Sequence, residues 1–272
     1  MMPATGRRAA RAVAAFAFGV PIGALAGLIG LGGGECRLPV LVAILGFTPR
    51  AAVPMNLVVT LVTLAASLVT RAGTLSLAPV VPHLPEVAGL ATGGVLGAAR
   101  SSRLLTRLSD NGLESALALL LAMIGLLLVV EAFLPSVGGS GLLPNDAVWR
   151  SVSGLLLGIA IGAVAALLGV AGGELLIPTL MFVFGIDIYV AGTAALIISL
   201  LTVCVGLWRY HGLGALPDAN ALVATALPMG MGSILGAVIG GILAGVFPAL
   251  VLKLTLGLIL IAVALGTFGR RQ

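Results

Sequence analysis

Gly23–Leu41 reads GALAGLIGLGGGECRLPVL, and Gly162–Leu180 reads GAVAALLGVAGGELLIPTL. Set 139 positions apart and aligned without a gap, the two stretches coincide at Gly23/Gly162, Gly30/Gly169, Gly33/Gly172, Gly34/Gly173, Glu35/Glu174 and Pro39/Pro178. The same register continues through Gly46/Gly185, Thr63/Thr202, Gly73/Gly212, Gly93/Gly232 and Gly97/Gly236. Self-similarity sustained at one period means two copies of one unit. The expected organisation is a first half over 1–134, a connecting loop over 135–148 and a second half over 149–272.

What surrounds these stretches is almost entirely apolar. Hydrophobic residues make up 60% of the 272 and charged residues only 8%, against roughly 25% in an ordinary globular chain. A hydrocarbon core of about 30 Å takes about 20 residues of helix to cross, and apolar runs of that order recur from end to end. Lipid offers the backbone no hydrogen bonds, and the runs lack the alternation of barrel strands, so the expected fold is all-α and integral to the membrane. The net charge of +5 comes from arginines placed singly or in small groups beside apolar runs. That is the pattern of cytoplasmic anchors and not of a phosphate-binding face, so no nucleic-acid partner is expected; the lipid bilayer is. Arg7, Arg8 and Arg11 ahead of an apolar run imitate a secretory signal, but the run has a repeat partner near Trp149–Val170 and therefore reads as a permanent helix. Cys36 and Cys204 occupy non-equivalent places in the halves and read as small buried hydrophobes.

Each half divides into five segments, near 11–31, 35–46, 50–70, 79–105 and 113–134, then 149–170, 174–185, 189–210, 219–244 and 248–268. The second segment of each half is short, about 18 Å as a helix, so it either crosses or re-enters. If it crosses, the halves are inverted and the loop arginines and lysine fall ten inside against three outside; if it re-enters, the halves are parallel and the tally is eight against five. The positive-inside rule favours inversion, with both termini cytoplasmic and the 135–148 loop outside.

Glycine clusters at Gly30–Gly34 and Gly169–Gly173 interrupt helices at matched positions, at a cost of about 1 kcal/mol per glycine relative to alanine. Matched breaks in apolar segments suggest deliberate unwinding around a binding site, with Gly33, Gly34, Gly172 and Gly173 as backbone contributors; close helix packing is the competing explanation. Glu35 and Glu174 follow the breaks and are a repeat-matched acidic pair. A carboxylate in hydrocarbon must be protonated, paired or turned to a polar cavity, which makes these two the proton-coupling candidates. Arg37, matched by Leu176, either pairs an anionic substrate or neutralises a carboxylate. Asn56, Thr60 and Thr63 lie on one helical face, as do Ala195, Ser199 and Thr202, and Asn56, Thr60 and Ser199 join the candidate substrate-binding set. The competing role for such hydroxyls is helix-to-helix hydrogen bonding. No nucleophile elbow, zinc-binding HExxH or phosphate loop is present, so neither enzyme activity nor a cofactor is expected.

The pair GLIGLGGGECRLPVL and ALLGVAGGELLIPTL, each followed by a small-residue third segment, resembles the sulfite exporter TauE/SafE family of membrane proteins. The resemblance covers almost the whole chain, with Ala171 departing from the triple glycine of the first copy. It implies ion-coupled transport, usually export, of small sulfur-containing or organic anions such as sulfite, sulfoacetate or other sulfonates, in the bacterial inner membrane. The expected function is thus a secondary transporter with a small anion and protons as partners. A passive anion channel and a non-transporting membrane scaffold are the alternatives.

Overall fold

The computed structural model describes residues 4–75, 77–105, 141–144 and 146–244, with scattered positions between 115 and 133 and between 246 and 265. The fifth segment expected in each half therefore lies largely outside the described residues, as does half of the connecting loop; where the fifth segments are described, Gly125 approaches Gly257 and Ile261.

The described chain is helical. Helix α1 spans Ala4–Ile29 and gives way at the glycine break to α2, Gly34–Pro39. Pro39 has no N–H for the carbonyl four residues back, and the chain widens directly after it into a π-helical turn, Val40–Ile44. Helix α3, Pro49–Thr74, starts with Thr48 as N-cap and proline in its first turn. A 3₁₀ turn over Ala78–His83 leads into α4, Leu84–Leu105. The second half repeats the plan: α5, Ala147–Leu168, is capped by the Asp146 carboxylate, and α6, Gly173–Pro178, passes after Pro178 into a π-helical turn, Thr179–Val183. Then come α7, Ile188–Gly212, the short α8, Ala219–Ala221, a π-helical turn over Leu222–Ala226, and α9, Leu227–Ile242. Among the described residues five stretches, Arg8–Ile29, Pro49–Thr74, Ala147–Leu167, Ile188–Gly212 and Ala219–Ile242, are long and apolar enough to cross a membrane. Many large apolar side chains on these helices remain exposed, among them Leu156, Leu201 and Val238, as lipid-facing surfaces require.

Packing crosses between the halves. Helix α1 lies on α9 and α4 lies on α5, each pair so close that backbones touch through small residues. A β-carbon on Gly23 would sit 2.2 Å from the Ser233 carbonyl oxygen, and one on Gly162 would sit 2.2 Å from that of Gly94. Those two contacts are related by the 139-residue shift. So are the approaches of Gly93 to Leu155 and of Gly232 to Phe16.

Contact order gives the helix directions. Gly19, Gly23 and Gly27 meet Met229, Ser233 and Ala237, so α1 and α9 run the same way, and Val62 against Gly230 with Thr70 against Gly241 sets α3 in that direction too. Helix α7 runs opposite to α3, because Leu57 faces Gly206 whereas Arg71 reaches Thr193. The short segment travels back along α1: α1 ends at Ile29, yet Arg11 near its start donates a hydrogen bond to the Leu45 carbonyl. The second half has the shifted contact, Arg150 to the Phe184 carbonyl.

Candidate functional site

The two breaks meet. Gly32 and Ala171 are repeat equivalents, and a β-carbon on Gly32 would overlap the Ala171 β-carbon. Gly34 lies against Val170 and Gly173 against Leu31, again related by the repeat shift. Gly33 (φ 69°) and Gly172 (φ 78°) occupy the left-handed N-cap positions of α2 and α6, which L-residues with a β-carbon rarely adopt. Helices α2 and α6 therefore start from one shared crossing, with Glu35 and Glu174 in their first turns.

A broken helix in a membrane leaves carbonyls that need donors. Side chains on the third helices supply several of them. Arg71 donates to the Gly27 and Leu28 carbonyls at the end of α1 and to Thr193. Tyr210, its repeat equivalent, donates to the Ala166 carbonyl, which is itself the equivalent of Gly27. Asn56 Nδ2 donates to Gly34 O at 3.0 Å and to Gly169 O at 2.7 Å, joining the first break to the second. Arg37 completes the set from within α2: it donates to the Gly32 and Gly33 carbonyls and to Thr63, whose own hydroxyl donates to Val59 O.

Other buried groups are left without partners. Neither carboxylate oxygen of Glu35 or Glu174 has a hydrogen-bond partner among the described residues, and both side chains are 1% exposed. The same holds for the hydroxyls of Thr60 and Ser199, a repeat-matched pair, and for Asn56 Oδ1. Thr60 stands beside Gly32 and Gly34. Ser199 is fully buried on the α7 face shared with Thr202, whose hydroxyl donates to Ile198 O. Orphaned polar atoms are costly in a dry interior and mark where a proton, water or solute has something to bind.

The helical face that carries Asn56, Thr60 and Thr63 is longer than those three residues indicate. Ser67 and Arg71 continue it, and all five residues are buried. Arg71, one of the three basic residues that the crossing arrangement puts in outside loops, is instead 1% exposed and tied to the end of α1. The available signal was its spacing from Thr63 together with its repeat partner, another long polar side chain, Tyr210. Arg11 and Arg150 are likewise repeat equivalents that hold the far ends of the short segments. His83 belongs to a cluster at the start of α4, 2.9 Å from Glu86, which in turn accepts from Arg150 at 2.8 Å. Cys36 is buried as expected, whereas Cys204 is exposed.

Comparison with curated proteins and with solved structures returns no significant match. The family described as Sulfite exporter TauE/SafE matches residues 14–267, a span that takes in both breaks, both glutamates and every helix described above except the start of α1. The chain belongs to the sulfite exporter TauE/SafE family of membrane transporters.

Proposed function

We propose that the protein is a proton-coupled secondary transporter that exports a small sulfur-containing or organic anion, such as sulfite or a sulfonate, across the bacterial inner membrane. The observation that carries the proposal is the pair of buried, repeat-matched carboxylates, Glu35 and Glu174, whose oxygens have no partner beside the crossing of the breaks. A carboxylate so placed is stable as the neutral acid, beside a compensating charge such as Arg37 next to Glu35, or while a solute or water solvates it, so gaining and losing a proton is tied to what fills the site. Thr60 and Ser199 supply hydroxyls free to donate to an anion, while Gly33, Gly34, Gly172 and Gly173 are packed against neighbouring side chains and backbone and permit the close crossing of the breaks beside those hydroxyls. Arg37 contributes positive charge and the N–H groups that the break carbonyls do not use.

In this proposal the halves are inverted repeats with the short segments crossing. Support comes from the shift-related contacts, from α7 running opposite to α3, and from the return of Leu45 to Arg11. Burial of Arg71 also removes one arginine from the outside of the positive-inside tally and so strengthens it. Alternating access then consists of the α1–α9 pair moving against the α4–α5 pair, each drawn from both halves, about the Gly32–Ala171 contact.

The test is accumulation of sulfite in proteoliposomes under an imposed pH gradient with the membrane potential clamped. The transporter concentrates sulfite above its equilibrium level at the expense of the imposed pH gradient. Equilibration without accumulation would instead indicate a passive channel, and absence of flux a scaffold.

A further inference from the structure

A second polar site lies at the end of the bundle where α1 begins. Arg8, Arg11, Asp218, Asn220 and Thr225 line a pocket of about 540 Å³ between α1 and the 218–226 segment. Thr225 is fully buried in its wall, and its hydroxyl has no hydrogen-bond partner among the described residues. Arg11 uses one N–H on the Leu45 carbonyl and stands 5.1 Å over the Phe47 ring, while Arg8 is exposed to the opening.

The repeat-equivalent place at the other end of the bundle is filled from within. There Arg150 takes the position of Arg11, and the buried Glu86 takes that of Thr225, 2.8 Å from the guanidinium and 2.9 Å from His83. Replacing that carboxylate with a threonine at the α1 end leaves two arginines facing one acid, Asp218, with a neutral hydroxyl where the counter-charge would be. Asp218 heads α8 without a side-chain cap bond. The pocket has the charge, the donors and the volume for a small anion, and the anion would stand where Glu86 stands at the opposite end.

We propose that this pocket binds a tetrahedral or pyramidal oxyanion, held by charge-assisted hydrogen bonds from Arg8 and Arg11 and by the Thr225 hydroxyl. It is separate from the site between the breaks, and what it shares with the proposed transport reading is only the class of ligand. Arg11 links the two places, because it also holds the end of the segment whose other end carries Glu35. The same chemistry is offered by a free anion and by the phosphate of a lipid headgroup.

Calorimetric titration of purified protein in a neutral detergent, at constant ionic strength, separates these sources. One arm titrates sodium sulfate and the other a short-chain phosphatidylglycerol. Arg8→Gln and Thr225→Val should each weaken binding by about tenfold, the effect of losing one charged or buried donor. Asp218→Asn should tighten it severalfold, a gain that a misfolded variant does not produce. The responding arm identifies a free anion or a headgroup. The same responses should persist in a Glu35→Gln, Glu174→Gln background, so failure of the proton-coupling proposal leaves this one standing. Wild-type protein that binds neither probe, or affinities for both that stay within about twofold across the three substitutions, would overturn it.

Discussion

Replacing Asn56 with alanine removes both hydrogen bonds that tie the first break to the second, at 3.0 Å to Gly34 O and 2.7 Å to Gly169 O. Both acceptors are buried, so water does not replace the lost donor at no cost. At about 1–1.5 kcal/mol per buried hydrogen bond, the pair is worth roughly 2–3 kcal/mol. With a midpoint shift of roughly 2–4 °C per kcal/mol for a chain approaching this size, unfolding should occur about 4–12 °C lower. Intrinsic fluorescence of Trp149 and Trp208 during heating in micelles reads the transition. Asn56→Asp is the sharper probe, because it keeps the shape but presents oxygen to both carbonyls, and it should be at least as damaging as alanine. Thr60→Val, at a neighbouring buried position whose hydroxyl has no partner, should change stability by less than about 1 kcal/mol. An Asn56→Ala protein that melts within about 1 °C of wild type would refute the claim that this side chain joins the breaks. So would a Thr60→Val protein destabilised to the same degree.

Arg71→Leu leaves the Gly27 and Leu28 carbonyls without their donor and should lower stability by about 3 kcal/mol, whereas Arg71→Tyr, which copies the residue at its repeat partner, should recover part of the loss in the same melting assay. Gly23→Ala and Gly162→Ala drive a methyl group into opposing backbone, so each should cost about 2–3 kcal/mol or prevent accumulation in the membrane; Gly73→Ala, with nothing within 4 Å, should be tolerated, as yields of folded protein will show. Glu86→Leu strips Arg150 and His83 of their shared carboxylate but leaves Arg150 its bonds to the Phe184 and Pro144 carbonyls, so melting should reveal a loss of about 1–3 kcal/mol.

The repeat register was the most legible feature of the sequence, because matched glycines mark where backbone must approach backbone, and Gly23/Ser233 and Gly162/Gly94 are such approaches. The breaks, their capping glycines and the short helices were legible for the same reason. The course of the short segment was not, since length alone allows crossing or re-entry; the Arg11–Leu45 and Arg150–Phe184 contacts are what support the crossing proposed above. Arg71 misled because an arginine at the end of an apolar run looks like a loop anchor, and only the carbonyls freed by a distant glycine break turn it inward. Glu35 and Glu174 were legible as intramembrane charges, but their lack of partners is a property of packing between halves that no local pattern encodes.

The central claim, that these two carboxylates exchange protons as the anion moves, is tested most directly by pH-driven sulfite accumulation in proteoliposomes containing wild type, Glu35→Gln, Glu174→Gln or the double variant. The amide retains the shape and hydrogen-bonding atoms of the protonated acid but cannot release a proton. The double variant should fold, bind sulfite and support downhill exchange, yet fail to concentrate sulfite in response to an imposed pH gradient. Accumulation at the wild-type level by the double variant would contradict the account and leave Glu35 and Glu174 with a structural role.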